Sequence, residues 1–365
     1  MKQTCIIAEA GVNHNGSVTR ALDMIDAAAA AGANAIKFQT FSADKLVTRD
    51  AAKAEYQAAR TGEGGQYEML KALELTAGDF ALLAERCRKR QIEFLSTPFD
   101  EQSVELLVEL GVQRIKIGSG DATNAPLLLA VAQTGMPVIL STGMCVLDEI
   151  RDALGVLAFG YQKQPCPGRT AFRTAYASPE GQQALHKQVT LLHCTTSYPT
   201  PTNEVNLLAM ETLAANFGLP VGYSDHTEGI LVSVAAAARG AAVVEKHFTL
   251  DRALPGPDHT ASLEPAQLTE LVAAIRTVDA ALGQPDKTPT AAEKKIMAVA
   301  RKSVVAARAV KAGAAWRAED LAIKRPGTGL SPFAVWELLG RPATRDYAPE
   351  ALLDPREISD RGEPS

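Results

Sequence analysis

Residues 220–248, PVGYSDHTEGILVSVAAAARGAAVVEKHF, hold one complete strand, helix and strand unit. PVGYSD (220–225) and VVEKHF (243–248) are short apolar runs that end in polar side chains. Between them, EGILVSVAAAARG carries apolar residues at helical spacing and closes on Gly240, a helix C-terminal signal. Two strands joined by a helix are the building block of a parallel sheet. The same alternation recurs upstream, with strand-like runs at CIIAE (5–9), AIKFQT (35–40), EFLSTP (93–98), RIKIGS (114–119), PVILST (137–142) and VTLLHC (189–194), so the count is eight. Intervening stretches such as TRALDMIDAAAAAGA, DEQSVELLVELG and APLLLAVAQTG read as helices. Eight such repeats within about 280 residues predict a (β/α)8 TIM barrel. A doubly wound sheet fits less well, because it usually has fewer strands and no G-x-G-x-x-G opens a helix after the first run.

Composition sets bounds on function. The 365 residues are 46% hydrophobic and 22% charged, values that exclude disorder and collagen. A mean hydropathy of -0.03 and the lack of any 18-residue apolar run exclude a membrane-spanning chain. The net charge of -5, with no Lys/Arg block, provides no field for nucleic acid, so an anionic ligand must be held locally. Cys5, Cys87, Cys145, Cys166 and Cys194 are odd in number and contain no C-x-x-C pair, which argues against disulfides and a thiolate zinc site and for buried free thiols. With no secretory pattern in MKQTCIIAEAGVNHNG, the expected location is the cytoplasm.

Two connections exceed a bare helix. Residues 41–72 follow the C-terminal end of the second strand and predict a lid; residues 159–188 lead into the N-terminal end of the sixth and predict a structural or oligomer role. The expected division is a barrel at 1–283, a linker at 284–302, a small β-rich module at 303–357 and a tail at 358–365. Within the module, SVVAARAV (303–310) reads as a strand, AIKRPGTGL as strand then loop, and SPFAVWELLG as a short helix with Ser331 as N-cap and Pro332 at N1.

In a TIM barrel the C-terminal strand ends converge on the active site, so polar residues there are candidates. Glu9, Lys37, Gln39, Ser96, Thr97, Lys116, Ser119, Asp121, Ser141, Thr142, His193, Thr195, Ser224, Asp225, His226, Glu245 and His247 all occupy or follow such ends. A lysine inside an apolar run is costly to bury unless an anion meets it, and Lys37 and Lys116 both sit between apolar neighbours. Two readings stay open: a site for a small phosphate- and carboxylate-bearing anion, or internal ion pairs with Glu9 or Glu245. His226 and His247 end adjacent strands and can meet at one divalent ion, Mn or Mg rather than a closed zinc site, or can be satisfied core histidines. His14 and His259 read as loop residues. KRPGTG (324–329) places Arg325 beside a tight turn.

In order, IIAEAGVNHNG, AIKFQT, QYEML, FLSTPFD, KIGSGD, VILSTGM, LLHCTTSYPTP, VGYSDHT, EKHFTLD, LPGPDH-x-x-SLEP and KRPGTG resemble the bacterial sialic acid (N-acetylneuraminate) synthases over residues from about 5 to 345. The resemblance implies a barrel followed by an antifreeze-like (SAF) domain, a domain-swapped homodimer, and a transferase that condenses phosphoenolpyruvate with an N-acylated hexosamine. N-acetylmannosamine is the expected acceptor and phosphate the co-product; the alternative is N,N'-diacetyllegionaminate synthesis from a 6-deoxy diacetamido sugar. It further implies that Lys37, Thr97, Lys116, Ser119, Ser141 and Ser224 hold phosphoenolpyruvate and that His226 and His247 hold the divalent ion. Glu9 matches the carboxylate near the reacting carbons. Gln39, Asp121, Tyr198 and Asp258 match the sugar end, and Arg325 matches an arginine that reaches a partner's site. Asp121, Thr196 and Lys246 depart from residues seen in some members, at positions expected to lie close to the sugar.

Overall fold

The computed structural model describes residues 3–53, 58, 60 and 64–359. The chain forms two units, Met1–Gly283 and Gln284–Ser365. In the first, eight strands are laid down in chain order: β1 (Cys5–Gly11), β2 (Ala35–Thr40), β3 (Glu93–Pro98), β4 (Ile115–Ile117), β5 (Val138–Ser141), β6 (Val189–Cys194), β7 (Val221–Asp225) and β8 (Val243–His247). All the ladders are parallel and run β3-β2-β1-β8-β7-β6-β5-β4, with β3 lying beside β4, so the sheet curls into a TIM barrel. The eight apolar runs of the sequence are these eight strands, with β4 and β5 trimmed at their ends.

The helices, also in chain order, are α1 (Val18–Ala30), α2 (Ala43–Leu46), α3 (Gln66–Leu73), α4 (Ala77–Arg90), α5 (Glu101–Glu109), α6 (Ala125–Gln133), α7 (Leu147–Tyr161), α8 (Arg169–Ala177), α9 (Pro179–Gln188), α10 (Ala209–Phe217), α11 (Leu231–Ala238) and α12 (Pro265–Leu282). Their starts obey local chemistry: Ser17 caps α1 by accepting from Arg20 N, and Asp100 caps α5 by accepting from Ser103 N. Gly32 and Gly111, just beyond α1 and α5, adopt φ +82° and +73°, where a side chain would strain the turn back into the next strand.

Strand pleating sorts side chains into two layers. Ile6, Ala8, Ile36 and Phe38 face outward into a continuous core with helix residues such as Met24, Leu83, Leu107 and Leu128. Ile7, Ala35, Leu95, Ile139, Leu192 and Val243 form a second cluster inside the ring. Each is followed two residues later, on the same face, by Glu9, Lys37, Thr97, Ser141, Cys194 and Glu245 respectively. The barrel interior therefore changes from aliphatic to polar over one pleat, toward the C-terminal end.

Both long connections carry helices. Residues 41–73 contain α2 and α3, which pack Leu46, Met69, Leu70 and Leu73 on Val12, Phe41 and Phe99; residues 54–57, 59 and 61–63 lie outside the described part. Residues 159–188 supply α8 and α9, laid against α7 with Phe172 edge-on to Phe159. Among the described residues no helix is long and apolar enough to cross a membrane. All five cysteines are free, but the expectation of burial holds only for Cys87 and Cys194: Cys5 and Cys145 are half-buried and Cys166 is exposed on the turn before α8.

In the second unit, α13 (Ala291–Ala300), capped by Thr290, occupies much of the stretch read as a linker. β9 (Ser303–Ala306) pairs antiparallel with β10 (Leu321–Lys324), and α14 (Val335–Leu338) follows a short turn that begins at Pro332. The strand expected over 303–310 is regular only to Ala306, because Ala307 N then donates to Asp320 O and Val310 bridges Tyr347 instead. Trp316, Tyr347, Leu338 and Leu353 fill a small core. Glu357 is its polar hub, accepting from Trp316 Nε1 at 3.2 Å and from Tyr347 OH at 2.7 Å.

Candidate active site

A cavity of about 620 Å³ opens at the C-terminal ends of the strands. Glu9, Lys37, Gln39, Thr97, Lys116, Ser119, Ser141, Tyr198, Ser224, His226, His247 and Asp258 all line it, and they come from loops or ends of all eight strands. Such convergence places a reacting molecule within reach of groups far apart in sequence. A larger depression of about 740 Å³ adjoins it through Met144 and Cys194, but it is open to solvent and lacks clustered charge.

The ion-pair reading of the lysines is realised. Lys37 Nζ lies 2.6 Å from Glu9 Oε2 and 3.8 Å from Glu245 Oε2, and Lys116 Nζ lies 3.6 Å from Glu245 Oε1. Yet the lysines also face the cavity, beside Thr97, whose Oγ1 accepts from Lys37 at 3.2 Å. Ser224 Oγ donates to Glu245 Oε1 at 2.8 Å. Ser119 Oγ accepts from Gly143 N at 3.0 Å and touches Cys194 Sγ at 3.0 Å. Glu9 Oε2 and Glu245 Oε2 are met by Lys37, but Ser141 Oγ is buried with no hydrogen-bond partner among the described residues. Buried polar atoms are normally paired, so this one points to a ligand-facing surface.

Burial sets the charge state of this group. It pushes the Glu9 carboxyl up to about 7, against the pull of Lys37 and with help from Glu245. Burial also acts upward on Glu245, but Lys116, Lys37 and the Ser224 hydroxyl together hold it near 2. Lys116 is lowered by burial, with Glu245 opposing; for Lys37 burial is outweighed by Glu245 and Glu9, and its affinity for the proton rises. Asp258, buried in the same lining, is pushed up by burial to about 6 against the pull of Lys37. Near neutrality the cavity thus holds the Lys37 ammonium, Glu245 as a firm carboxylate and Glu9 poised between its two forms. Gly11 makes room for this arrangement: a Cβ there would stand 3.1 Å from Glu9 Oε1, and β1 bulges at this point.

His226 and His247 meet with ring centroids 5.4 Å apart, and Tyr198 packs on both, 4.1 Å from the first and edge-on to the second. Burial lowers His226 to about 4 and also holds His247 well below its ordinary value, so both imidazoles are neutral. Because Thr195 O can only accept, the 2.5 Å contact from His226 Nδ1 fixes the proton there and leaves Nε2 with its lone pair. His247 Nδ1 is buried with no hydrogen-bond partner among the described residues. Two neutral imidazoles with spare lone pairs fit a divalent ion that takes its remaining ligands from water and substrate oxygens. No third His, Cys, Asp or Glu joins them in a closed cluster among the described residues, which does not fit a structural zinc site.

Other candidates fall elsewhere. Asp121 is not among the lining residues; it accepts from Asn124 Nδ2 at 2.9 Å, and burial raises its carboxyl. Ser96 bonds Thr40, Thr142 donates to Leu192 O, and His193 Nε2 contacts Val205 O. Lys246 corrects the expectation of a sugar neighbour: it points out of the barrel, fully buried, 3.0 Å from Asp225 Oδ2 and bonded to Thr227 O. The pleat dictates this, since its neighbours Glu245 and His247 take the inner face. Thr196 does line the cavity. His14 and His259 are loop residues as read, but buried ones; His259 joins Thr249 Oγ1 to Asn15 Oδ1 and so ties the loop bearing Asp258 to that following β1. Arg325 belongs to the second unit, on an exposed turn after β10. Sequence reasoning named Glu245 both as a strand-end candidate and as a lysine partner, and it lines the cavity as its spacing of two from His247 implies. The same reasoning missed Cys194 and the apolar lining from residues 46–73, which carry no polar signal.

Comparison with known proteins places these features in context. The NeuB family model matches residues 24–287, and the SAF domain model matches residues 301–356. The N,N'-diacetyllegionaminic acid synthase of Legionella pneumophila is 47% identical over 339 residues, covering 92% of this chain and 90% of its own. The protein of the same name from Campylobacter jejuni is 44% identical over 354 residues, covering 97% and 99%. The crystal structure of an N-acetylneuraminic acid (sialic acid) synthetase from Leptospira borgpetersenii in complex with citrate is 37% identical, with a TM-score of 0.64, covering 80% of this chain and 90% of that one.

Proposed function

The chain belongs to the NeuB family and carries a SAF domain, and from that premise we propose that it is an N,N'-diacetyllegionaminate synthase. It would join phosphoenolpyruvate to a 6-deoxy diacetamido hexose and release phosphate. The observation that carries the sugar assignment is the identity of 47% and 44% to two proteins of that name. This replaces N-acetylneuraminate as the first expectation; that product remains the second reading, favoured by the 37% identity to the Leptospira synthetase.

The cavity supports the reaction class. Lys37 and Lys116, with the hydroxyls of Thr97, Ser119, Ser141 and Ser224, offer charge and donors for a phosphate and a carboxylate on one small molecule. Gln39, Tyr198 and Asp258 would meet the sugar hydroxyls and amides. His226 and His247 would hold Mn or Mg, which supplies Lewis-acid polarisation of the sugar aldehyde when bound. The methylene carbon of phosphoenolpyruvate forms the new bond to the aldehyde carbon, whose oxygen takes up a proton. Water then adds to the resulting cation and loses a proton, and the carbon–oxygen bond to phosphate breaks as the ketone forms. Glu9, near 7, is the group suited to orient that water and to move its proton.

Arg325 would approach the N-acyl group in a domain-swapped homodimer, each SAF domain serving a neighbour's barrel. The deciding experiment is mass spectrometry of the product from phosphoenolpyruvate with the 6-deoxy diacetamido sugar and, separately, with N-acetylmannosamine. The legionaminate reading expects efficient product and phosphate release with the first sugar. Preference for N-acetylmannosamine would overturn it in favour of the second reading.

A further inference from the structure

The cavity floor is polar, whereas its side above β1 to β3 is mainly apolar, with Gln66 its one polar helix residue. Leu46 and Val47, at the end of α2, and Met69, Leu70 and Leu73, on one face of α3, line it. Leu46, Met69, Leu70 and Leu73 belong to an apolar cluster separate from the main core, seated on Val12, Phe41 and Phe99. The wall is held rigidly from behind. Ala43 N donates to Glu74 Oε1 at 2.5 Å, and Asp44 receives Tyr67 OH at 2.9 Å and Lys71 Nζ at 3.3 Å, so α2 and α3 are tied together. Across the cavity the lining is polar, with Tyr198, His226 and Asp258.

Such a wall is a poor neighbour for a fully hydroxylated sugar. The reacting end of the acceptor must sit on the floor, beside Glu9, the lysines and the histidines, so the far end of the hexose chain rises toward the walls. A hydroxymethyl group against Leu46 and Leu70 would lose its water without gaining a partner, whereas a methyl group would bury apolar surface. We propose that the face formed by Leu46, Val47, Met69, Leu70 and Leu73 is the subsite for C6 of the acceptor and selects a 6-deoxy sugar. The inference rests on the reading of the cavity as the condensation site and assigns its specificity. A hydrophobic pocket discriminates against one added hydroxyl by at most about 100-fold, which bounds the effect.

The test compares kcat/KM for N-acetylmannosamine and for its 6-deoxy counterpart, two sugars that differ by one oxygen, in the wild type, Leu70→Asn and Leu46→Asn. The wild type should favour the 6-deoxy sugar by about 10- to 100-fold. Each variant, checked by thermal unfolding, should narrow that preference by about tenfold, chiefly through the 6-deoxy sugar, with KM for phosphoenolpyruvate retained. No preference in the wild type, or equal losses on both sugars in folded variants, would overturn the inference. Wild-type activity on the diacetamido sugar is a separate measurement: a 6-deoxy preference without use of that sugar would sink the legionaminate reading and leave the C6 subsite standing.

Discussion

Glu9→Gln should stabilise the barrel relative to the wild type as the pH rises. Burial moves the Glu9 carboxyl from its ordinary 4.5 to about 7, so the folded chain prefers it protonated. A raised acid contributes its stability in full below the unfolded value and loses it as the pH climbs through the folded one. At about 1.4 kcal/mol per tenfold in proton affinity, the wild type loses about 3 kcal/mol between pH 4.5 and pH above 7. Glutamine mimics the protonated carboxyl and has nothing to lose. The difference in stability, variant minus wild type, should therefore grow by about 3 kcal/mol over that window, whatever its offset at low pH. For a unit of this size that corresponds to about 6 °C in the barrel's unfolding midpoint. Asp258, raised to about 6, contributes the same slope to both proteins and cancels. Differential scanning calorimetry of both proteins at intervals from pH 5 to 9 reads the effect. Parallel curves would refute the reasoning, because they would mean that Lys37, 2.6 Å away, keeps Glu9 ionised throughout.

Further outcomes follow from the same geometry. Lys116→Met should raise KM for phosphoenolpyruvate by roughly 30- to 150-fold, the loss of one charged hydrogen bond of about 2–3 kcal/mol, and an unchanged KM would remove Lys116 from the anion site. His226→Ala should abolish calorimetric Mn binding while leaving the unfolding temperature nearly unchanged, and full wild-type activity in a chelating buffer would show both histidines to be structural. Arg325→Ala should impair sugar use in a manner that depends on the N-acyl group, and mixing it with Glu9→Gln should restore some activity by pairing an intact barrel with an intact SAF domain; absence of complementation counts against a shared site. Glu357→Ala should destabilise the second unit by about 2–4 kcal/mol, since it leaves Trp316 and Tyr347 donors buried and unpaired, and an unaltered melting transition for that unit would contradict the hub role.

The sequence by itself determined the barrel, because each strand is a short apolar run and each helix an amphipathic stretch with its own cap and stop, all local signals. It also determined which residues could face the interior: a period of two from Ile7, Ala35, Leu95 and Val243 leads to Glu9, Lys37, Thr97 and Glu245. What it left open was whether the lysines meet protein carboxylates or an anion. Closure of the ring supplied the carboxylates, by setting β1, β2, β4 and β8 around one space where Glu9, Glu245 and both lysines face each other and line the cavity. The same closure raised Glu9 and kept the histidines neutral, since burial is a property of the packed barrel and not of a tripeptide. Lys246 shows the converse, its charge reading as site-like in sequence until the pleat turned it outward onto Asp225. The connection over residues 41–72 read as a lid from its place after the second strand, but which of its side chains line the cavity only the packed structure shows, because leucines on a short helix carry no signal of the face they present.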